Sequence, residues 1–282
     1  MSHLVKAAQA AFFIWYCMKD ISLKTLLEAG VHFGHQINRW NPRMAKYLYG
    51  AKEGVHIFDL VKSKSGLETA ANFLKDSVAK GNVILWLGTK RQAQAVIKEV
   101  SEKTTTSYIT QRWIGGLLTN YEQVNKSVKR LAELKEQKAA GQLSHYTKKE
   151  QLLIDRDILK LEKFFGGLTR LPRLPDVLIV VDTHLEDTAV REANRMGICV
   201  VGITDSNADP EKINFCIPAN DDAVKSVELI VRYLAEAVSE GQEKVSKAAL
   251  MVEKKIAAKE AKKAQTSWIG VYFKNSNLSF SV

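Results

Sequence analysis

The sequence predicts an α/β fold: a parallel-sheet core of the Rossmann-like, flavodoxin-like kind, with an antiparallel helical hairpin inserted into it. Three observations predict this. Val177 to Val181 is an unbroken apolar run and Ile198 to Ile203 is nearly another, so neither alternates as a half-exposed antiparallel strand does. Between them, Ala189, Val190, Ala193 and Met196 recur at helical spacing among Glu186, Asp187, Arg191, Glu192 and Arg195, giving one apolar and one solvated face. Strand, crossover helix and strand then make a right-handed βαβ unit. Third, two charged stretches with narrow apolar seams, 120–140 and 148–165, lie between strand-like runs. Asp182 and Asp205 each follow a strand of the βαβ unit, at the edge where open parallel sheets usually bind ligands.

At 282 residues and 46% hydrophobic content the chain can bury one substantial core, which excludes disorder throughout. Its 41 basic and 31 acidic residues leave a formal charge of +10, an excess suited to a phosphate-rich partner such as nucleic acid. Cys17, Cys199 and Cys216 are widely spaced with no Cys-x-x-Cys pair, which fits a reducing cytoplasm and no zinc cluster. Ala7 to Met18 is apolar behind Lys6, yet too short to span a bilayer and followed by no small-residue cleavage site. Residues 1–17 therefore read as a dispensable N-terminal extension, with Met18 a natural start, and no membrane is expected as a partner.

Leu23, Leu26 and Leu27 predict a short helix that Gly30 stops. Gly30 to Met44 reads as irregular, packing two glycines, two histidines, two arginines, a Trp and a Pro. Arg39 and Arg43 offer guanidinium forks for phosphate, and Trp40 an aromatic face for a base. Taken singly, His32 and His35 are more simply loop packing and Trp40 a core plug; together they point to a contact surface. Tyr47 to Gly50 and Val55 to Asp59 read as a hairpin, and Leu60 to Lys80 as a helix buried on Leu67, Ala71, Leu74 and Val78.

Val83 to Leu87 is the next buried strand, and Gly88, Thr89, Lys90 and Arg91 lead from it into a helix, a place where a phosphate could sit. An ordinary strand-to-helix turn with a solvated basic pair is the plainer reading, since neither a Walker loop nor GxGxxG is present. After a short strand at Tyr108 to Thr110, Arg112, Trp113, Gly115, Gly116, Thr119 and Asn120 form a second basic and aromatic loop. In the hairpin, Val124, Val128 and Leu131 face Ile154, Ile158, Leu161 and Phe165 at coiled-coil spacing, Thr147 and Glu150 make a capping box, and glycine pairs mark both roots. Ile213 to Ile217 is a last strand, and Asn220, Asp221 and Asp222 open a long helix with carboxylates suited to its dipole. The divisions expected are an extension at 1–17, a core at 18–119 and 166–241, a coiled-coil hairpin at 120–165 and a basic C-terminal extension at 242–282.

The sequence resembles the bacterial small-subunit ribosomal protein two family. Leu26 to Gln36 looks like that family's opening signature; Arg39 to Pro42, Gly54 to Asp59, Gly88 to Ala93, Arg112 to Asn120 and Asn220 to Ala223 match in the same order. The second signature runs from Pro175 through Asp182, Glu186 and Glu192 to Gly197. Cys199 stands where the family usually has Pro, and Ser206 where Thr is common. The resemblance implies an α/β domain with a protruding coiled coil, in the cytoplasm, bound to ribosomal RNA and to neighbouring small-subunit proteins, among them the RNA-capturing protein number one.

Two classes of function follow: a structural, non-enzymatic ribosomal component, and a sugar-phosphate or nucleotide-binding α/β enzyme suggested by topology alone. For the first, Arg39, Trp40, Arg43, Lys90, Arg91, Arg112 and Trp113 are the expected RNA contacts. For the second, only loose candidates exist, with no phosphate loop and no nucleophile. No cofactor is expected beyond a structural divalent cation, for which His35, Asp182 and Asp205 are the candidates. Helix and turn capping by the two aspartates is the plainer alternative.

Overall fold

The computed structural model describes residues 21–245. The readings of 1–17 and of the chain beyond 245 fall outside the described residues. Element order is α1 (Leu23–Glu28), β1 (Phe33–Gln36), β2 (Leu48–Lys52), β3 (Val55–Phe58), α2 (Leu60–Ala79), β4 (Ile84–Leu87), α3 (Arg91–Lys103) and β5 (Ser107–Ile109). There follow α4 (Tyr121–Ala139), α5 (Lys148–Phe165), β6 (Val177–Val181), α6 (Asp187–Met196), β7 (Cys199–Thr204) and β8 (Phe215–Pro218). A last helix, α7, occupies 224–245.

The main sheet has the order β5-β4-β6-β7-β8, parallel throughout. Each central strand buries both faces. Ile84, Trp86, Ile179, Val181 and Ile203 face one core layer with α2, α3 and α7, while Leu85, Leu87, Leu178, Val180 and Val200 face a second with α6. That two-sided burial is why these strands read as continuous apolar runs. The order reverses between β4 and β6, the switch point at which such sheets place their ligand crevice.

Gly30 to Met44 is more regular than its composition predicts. β1 forms there and pairs antiparallel with β3, which also pairs with β2, making a small sheet of order β1-β3-β2. Two short 3-10 turns, Ile37–Arg39 and Pro42–Tyr47, complete the stretch. β1 exists because β3 supplies its hydrogen-bond partners from about twenty residues away, which local composition does not reveal. The amide of Asn41 donates to the Ser206 carbonyl at 2.7 Å, drawing this stretch over the end of β7.

α4 and α5 lie side by side and antiparallel, with Lys135 paired to Glu162 at 2.6 Å and Lys138 to Asp155 at 2.8 Å. Leu131 and Ile158 are buried between them, and Thr147 and Glu150 form the capping box. At the base, Val124, Val128 and Phe165 pack on the second core layer. The return root is tight. A Cβ on Gly167 would stand 2.1 Å from the Tyr108 carbonyl oxygen, so no side chain fits between the root and β5.

Gly167→Ala is expected to lower stability by about 1–3 kcal/mol, the usual cost of overpacking, because backbone must move. Chemical denaturation checks this; an unchanged midpoint would show that the root is not packed on β5.

Candidate nucleic-acid interface and its buried ion cluster

Four aspartates meet at the carboxyl edge of the sheet. Asp182 follows β6, Asp205 follows β7, and Asp221 and Asp222 sit in the turn between β8 and α7. Lys90, at the turn from β4 into α3, reaches them: its ammonium lies 2.6 Å from Asp221, 2.6 Å from Asp222 and 3.4 Å from Asp182. Burial works against charge on Lys90, yet the hydrogen bonds to Asp221 and Asp222 outweigh it and raise the ammonium's pKa. Burial, reinforced by the charges of Asp182 and Asp205, pushes the Asp221 carboxyl from 3.8 to about 7, with Lys90 pulling the other way. Asp222, held by the same ammonium, is lowered.

The rest of the edge is tied down by polar contacts. Asp182, in the left-handed region at φ 64°, accepts from the Leu185 amide at 2.9 Å, as the capping reading expects. Asp205 accepts from the Ser206 amide at 2.5 Å and the Asp221 amide at 3.3 Å. The Ser206 hydroxyl in turn accepts from the His35 amide at 2.9 Å. Thr89 donates its hydroxyl to the buried Glu186, closing the strand-to-helix turn at which the sequence allows a phosphate.

His35 joins the cluster from β1. Its Nδ1 is 2.9 Å from Asp205, and that contact raises the imidazole above its ordinary pKa despite partial burial. His35, Asp205 and Asp221 each offer one ligand atom, all within 4.8 Å of one another, and Asp221 keeps one oxygen, Oδ2, buried without a partner. One imidazole and two carboxylates are a donor set for a divalent cation such as zinc. Asp182 is not in that group. Its side chain is spent on the Leu185 amide and Lys90.

The seven residues expected to touch RNA divide into two groups. Arg39, Arg91 and Arg112 are exposed, and no carboxylate of the described residues pairs with them. Arg43 is exposed but bridges Asp209 at 2.6 Å and Glu211 at 3.4 Å. Trp40 is half-buried, its ring 4.9 Å from that of His56. Lys90 and Trp113 take other positions than expected. Lys90 points into the carboxylate cluster, because four acids at one edge require a cation; Trp113 is 7% exposed, packs in the second core layer and donates its indole N–H to Glu192 at 3.2 Å.

Asp221 and Glu192 hold central places in this arrangement, although the sequence puts neither among the expected RNA or metal contacts. Asp221 reads as a helix-dipole carboxylate, yet α7 begins at 224, and Asn220 closes the turn ahead of it, its side chain accepting from the amides of Asp222 at 2.9 Å and Ala223 at 3.3 Å. Asp221 is left to face Lys90. The available signal was the excess of acids over capping positions at 220–222.

A cleft of about 380 Å³ opens beside the cluster, lined by Asn41, Thr183, His184, Asp187, Asn207 and Lys212 among others. Its lysine is held by Asp187 at 3.0 Å. No helix among the described residues is long and apolar enough to cross a membrane.

The geometry defines a scaffold class: an α/β domain whose ligand edge is filled by its own ion pairs, with the exposed Arg39, Arg91 and Arg112 standing around that edge. The chain belongs to the ribosomal protein S2 family, whose model matches residues 26–241. It is 46% identical over 222 residues to small ribosomal subunit protein uS2 of Roseiflexus castenholzii (strain DSM 13941 / HLO8), covering 79% of this chain and 84% of the relative. The uS2 protein of Roseiflexus sp. (strain RS-1) is likewise 46% identical over 222 residues, covering 79% of this chain and 85% of the relative. Membership makes the chain a structural constituent of the small ribosomal subunit, acting in translation in association with ribosomal RNA and other ribosomal proteins.

Lys90→Met is expected to destabilise the fold by about 3 kcal/mol or more at pH 8, since it strands a buried carboxylate without its partner. The Asp221 pKa is raised on folding, so the stability linked to its protonation is complete below the unfolded value of 3.8 and is lost as pH rises through about 7. The deficit of the variant should therefore shrink as pH falls from 8 toward 5. Denaturation at both pH values, with a chelator present, measures it; a deficit independent of pH would contradict the cluster's role.

Proposed function

We propose that the carboxyl edge of the sheet is the RNA-facing surface, with Arg39, Arg91 and Arg112 as principal phosphate contacts and Arg43 and Trp40 beside them. One observation carries this reading: three exposed arginines without a carboxylate partner, Arg39, Arg91 and Arg112, leave the core at that edge. Arg91 follows β4, Arg112 follows the neighbouring β5, and the 37–43 stretch is tied to Ser206 beyond β7. Guanidinium groups with no internal partner are available for bidentate phosphate contact. Lys90 and Trp113 support the surface from beneath.

The hairpin of α4 and α5, read as a protruding coiled coil, extends the contact area beyond the core. Leu152, Leu153 and Leu159 are exposed on α5, offering apolar contact that phosphate cannot use and a protein neighbour can. Resemblance to the family implies protein number one among such neighbours, and a cytoplasmic, ribosome-bound location. A divalent cation held by His35, Asp205 and Asp221 would add to the edge's rigidity; its role is structural. No observation favours the enzyme reading, since the strand-end acids are engaged with Lys90, backbone amides and His35.

Replacing Arg39, Arg91 and Arg112 together by Gln should weaken binding to small-subunit ribosomal RNA. The log–log salt slope should flatten by roughly 0.7–0.9 for each phosphate that is no longer neutralised. Titration at several salt concentrations gives that slope, and an unaltered slope would refute the assignment.

Deleting Lys126 to Lys160 with a short flexible linker should leave a folded α/β domain, because most of the α4–α5 seam is internal and Val124 and Phe165 stay on the core. Loss of cooperative unfolding in the shortened chain would show that the hairpin is part of the core.

A further inference from the structure

We infer that Glu192 is the positioning residue for Arg112: from the body of α6 its carboxylate gathers the turn after Arg112 and fixes the direction in which that guanidinium leaves the core. The inference rests on the reading of Arg112 as a phosphate contact.

Glu192 accepts three hydrogen bonds from one short span. Oε1 takes the Gly116 amide at 2.8 Å and the Trp113 indole N–H at 3.2 Å, and Oε2 takes the Leu118 amide at 3.2 Å. Gly116 adopts φ +85°, which turns the chain so that these donors converge. Two internal bonds close the span, Leu117 N–H to the Ile114 carbonyl at 3.0 Å and Asn120 N–H to the Gly116 carbonyl at 2.7 Å. Trp113, Leu117 and Leu118 are buried, whereas Arg112 is exposed one residue before the first of Glu192's donors.

An ionised carboxylate is suited to this task because it only accepts, and its bonds to N–H donors are charge-assisted. A glutamine is not equivalent. Its oxygen could still serve Gly116 and Trp113, but its amide N–H₂ would meet the Leu118 N–H donor to donor. The platform beneath is rigid, since Ala189, Val190 and Ala193 bury the neighbouring face of α6 in the second core layer, the layer that also holds Trp113, Leu117 and Leu118. A long, flexible arginine is thus set on a backbone held in place by a core helix, which reduces the ordering that phosphate binding must impose. Trp113, next in the chain, is the anchor of the same turn, which explains why an aromatic residue stands beside Arg112 without being free to stack on a base.

The test uses the full chain in four forms: unaltered, Arg112→Ala, Glu192→Gln and the double variant. Affinity for small-subunit ribosomal RNA is measured for all four, together with hydrogen exchange at the amides of Gly116, Leu118 and the β6 residues. Glu192→Gln should speed exchange at Leu118 by about tenfold or more, the loss of one buried hydrogen bond, and leave β6 protection unchanged. It should weaken RNA binding severalfold in the Arg112 chain and not at all in the Arg112→Ala chain, because its effect passes through that side chain. Equal losses in both backgrounds would overturn the inference and leave Glu192 a general structural residue. So would unchanged affinity alongside faster exchange. If Arg112→Ala alone leaves affinity and salt slope intact, the phosphate reading itself fails, while the exchange data still report whether the turn is anchored. Should Glu192→Gln lose β6 protection, Glu192→Asp, which keeps the charge and withdraws it by one methylene, replaces it under the same criteria.

Discussion

One ammonium group holds the ligand edge of this fold together. Lys90 lies within ion-pair distance of Asp182, Asp221 and Asp222, so that one cation joins three chain segments, its own and two that are distant in sequence. Asp205 and His35 extend the cluster to β7 and β1. Removing the cation would leave carboxylates facing each other where water is scarce, a cost that proteins avoid by pairing or protonation. The edge where related topologies open a crevice for phosphate or nucleotide is here occupied by the protein's own charges. Surface cations are then left for an external polyanion.

This division of labour between inner and outer cations explains much of the local sequence. The turn Gly88, Thr89, Lys90 and Arg91 alternates an inward lysine with an outward arginine, and Gly88 is needed because a Cβ there would stand 2.3 Å from the Ile97 side chain. Arg112 and Trp113 repeat the pattern at the end of β5, one side chain outside and the next within the core. In each pair the inner residue fixes the backbone from which the outer one projects. Rigid strand ends of this kind place charged groups more reproducibly than a free loop does.

The architecture was legible in the sequence because its signals are local. Continuous apolar runs identified β4, β6 and β7, helical spacing identified α2 and α6, and the capping box with its seam residues outlined the hairpin. The site was legible only as a region. Whether Lys90 points in or out depends on Asp221 and Asp222, about 130 residues away, and Trp113 is buried because Glu192 and the second core layer wait for it. β1 likewise formed in a stretch that local composition described as irregular, since its partner β3 lies further along the chain. Pairing across long sequence separations is information that spacing and propensity do not contain.

The most direct test is a map, at side-chain resolution, of a small ribosomal subunit carrying this chain. The account predicts that Arg39, Arg91 and Arg112 lie at hydrogen-bond distance from RNA phosphates, while Lys90 stays with Asp182, Asp221 and Asp222 and makes no RNA contact. A map in which Lys90 leaves its carboxylates for a phosphate, or in which those three arginines face solvent, would contradict it.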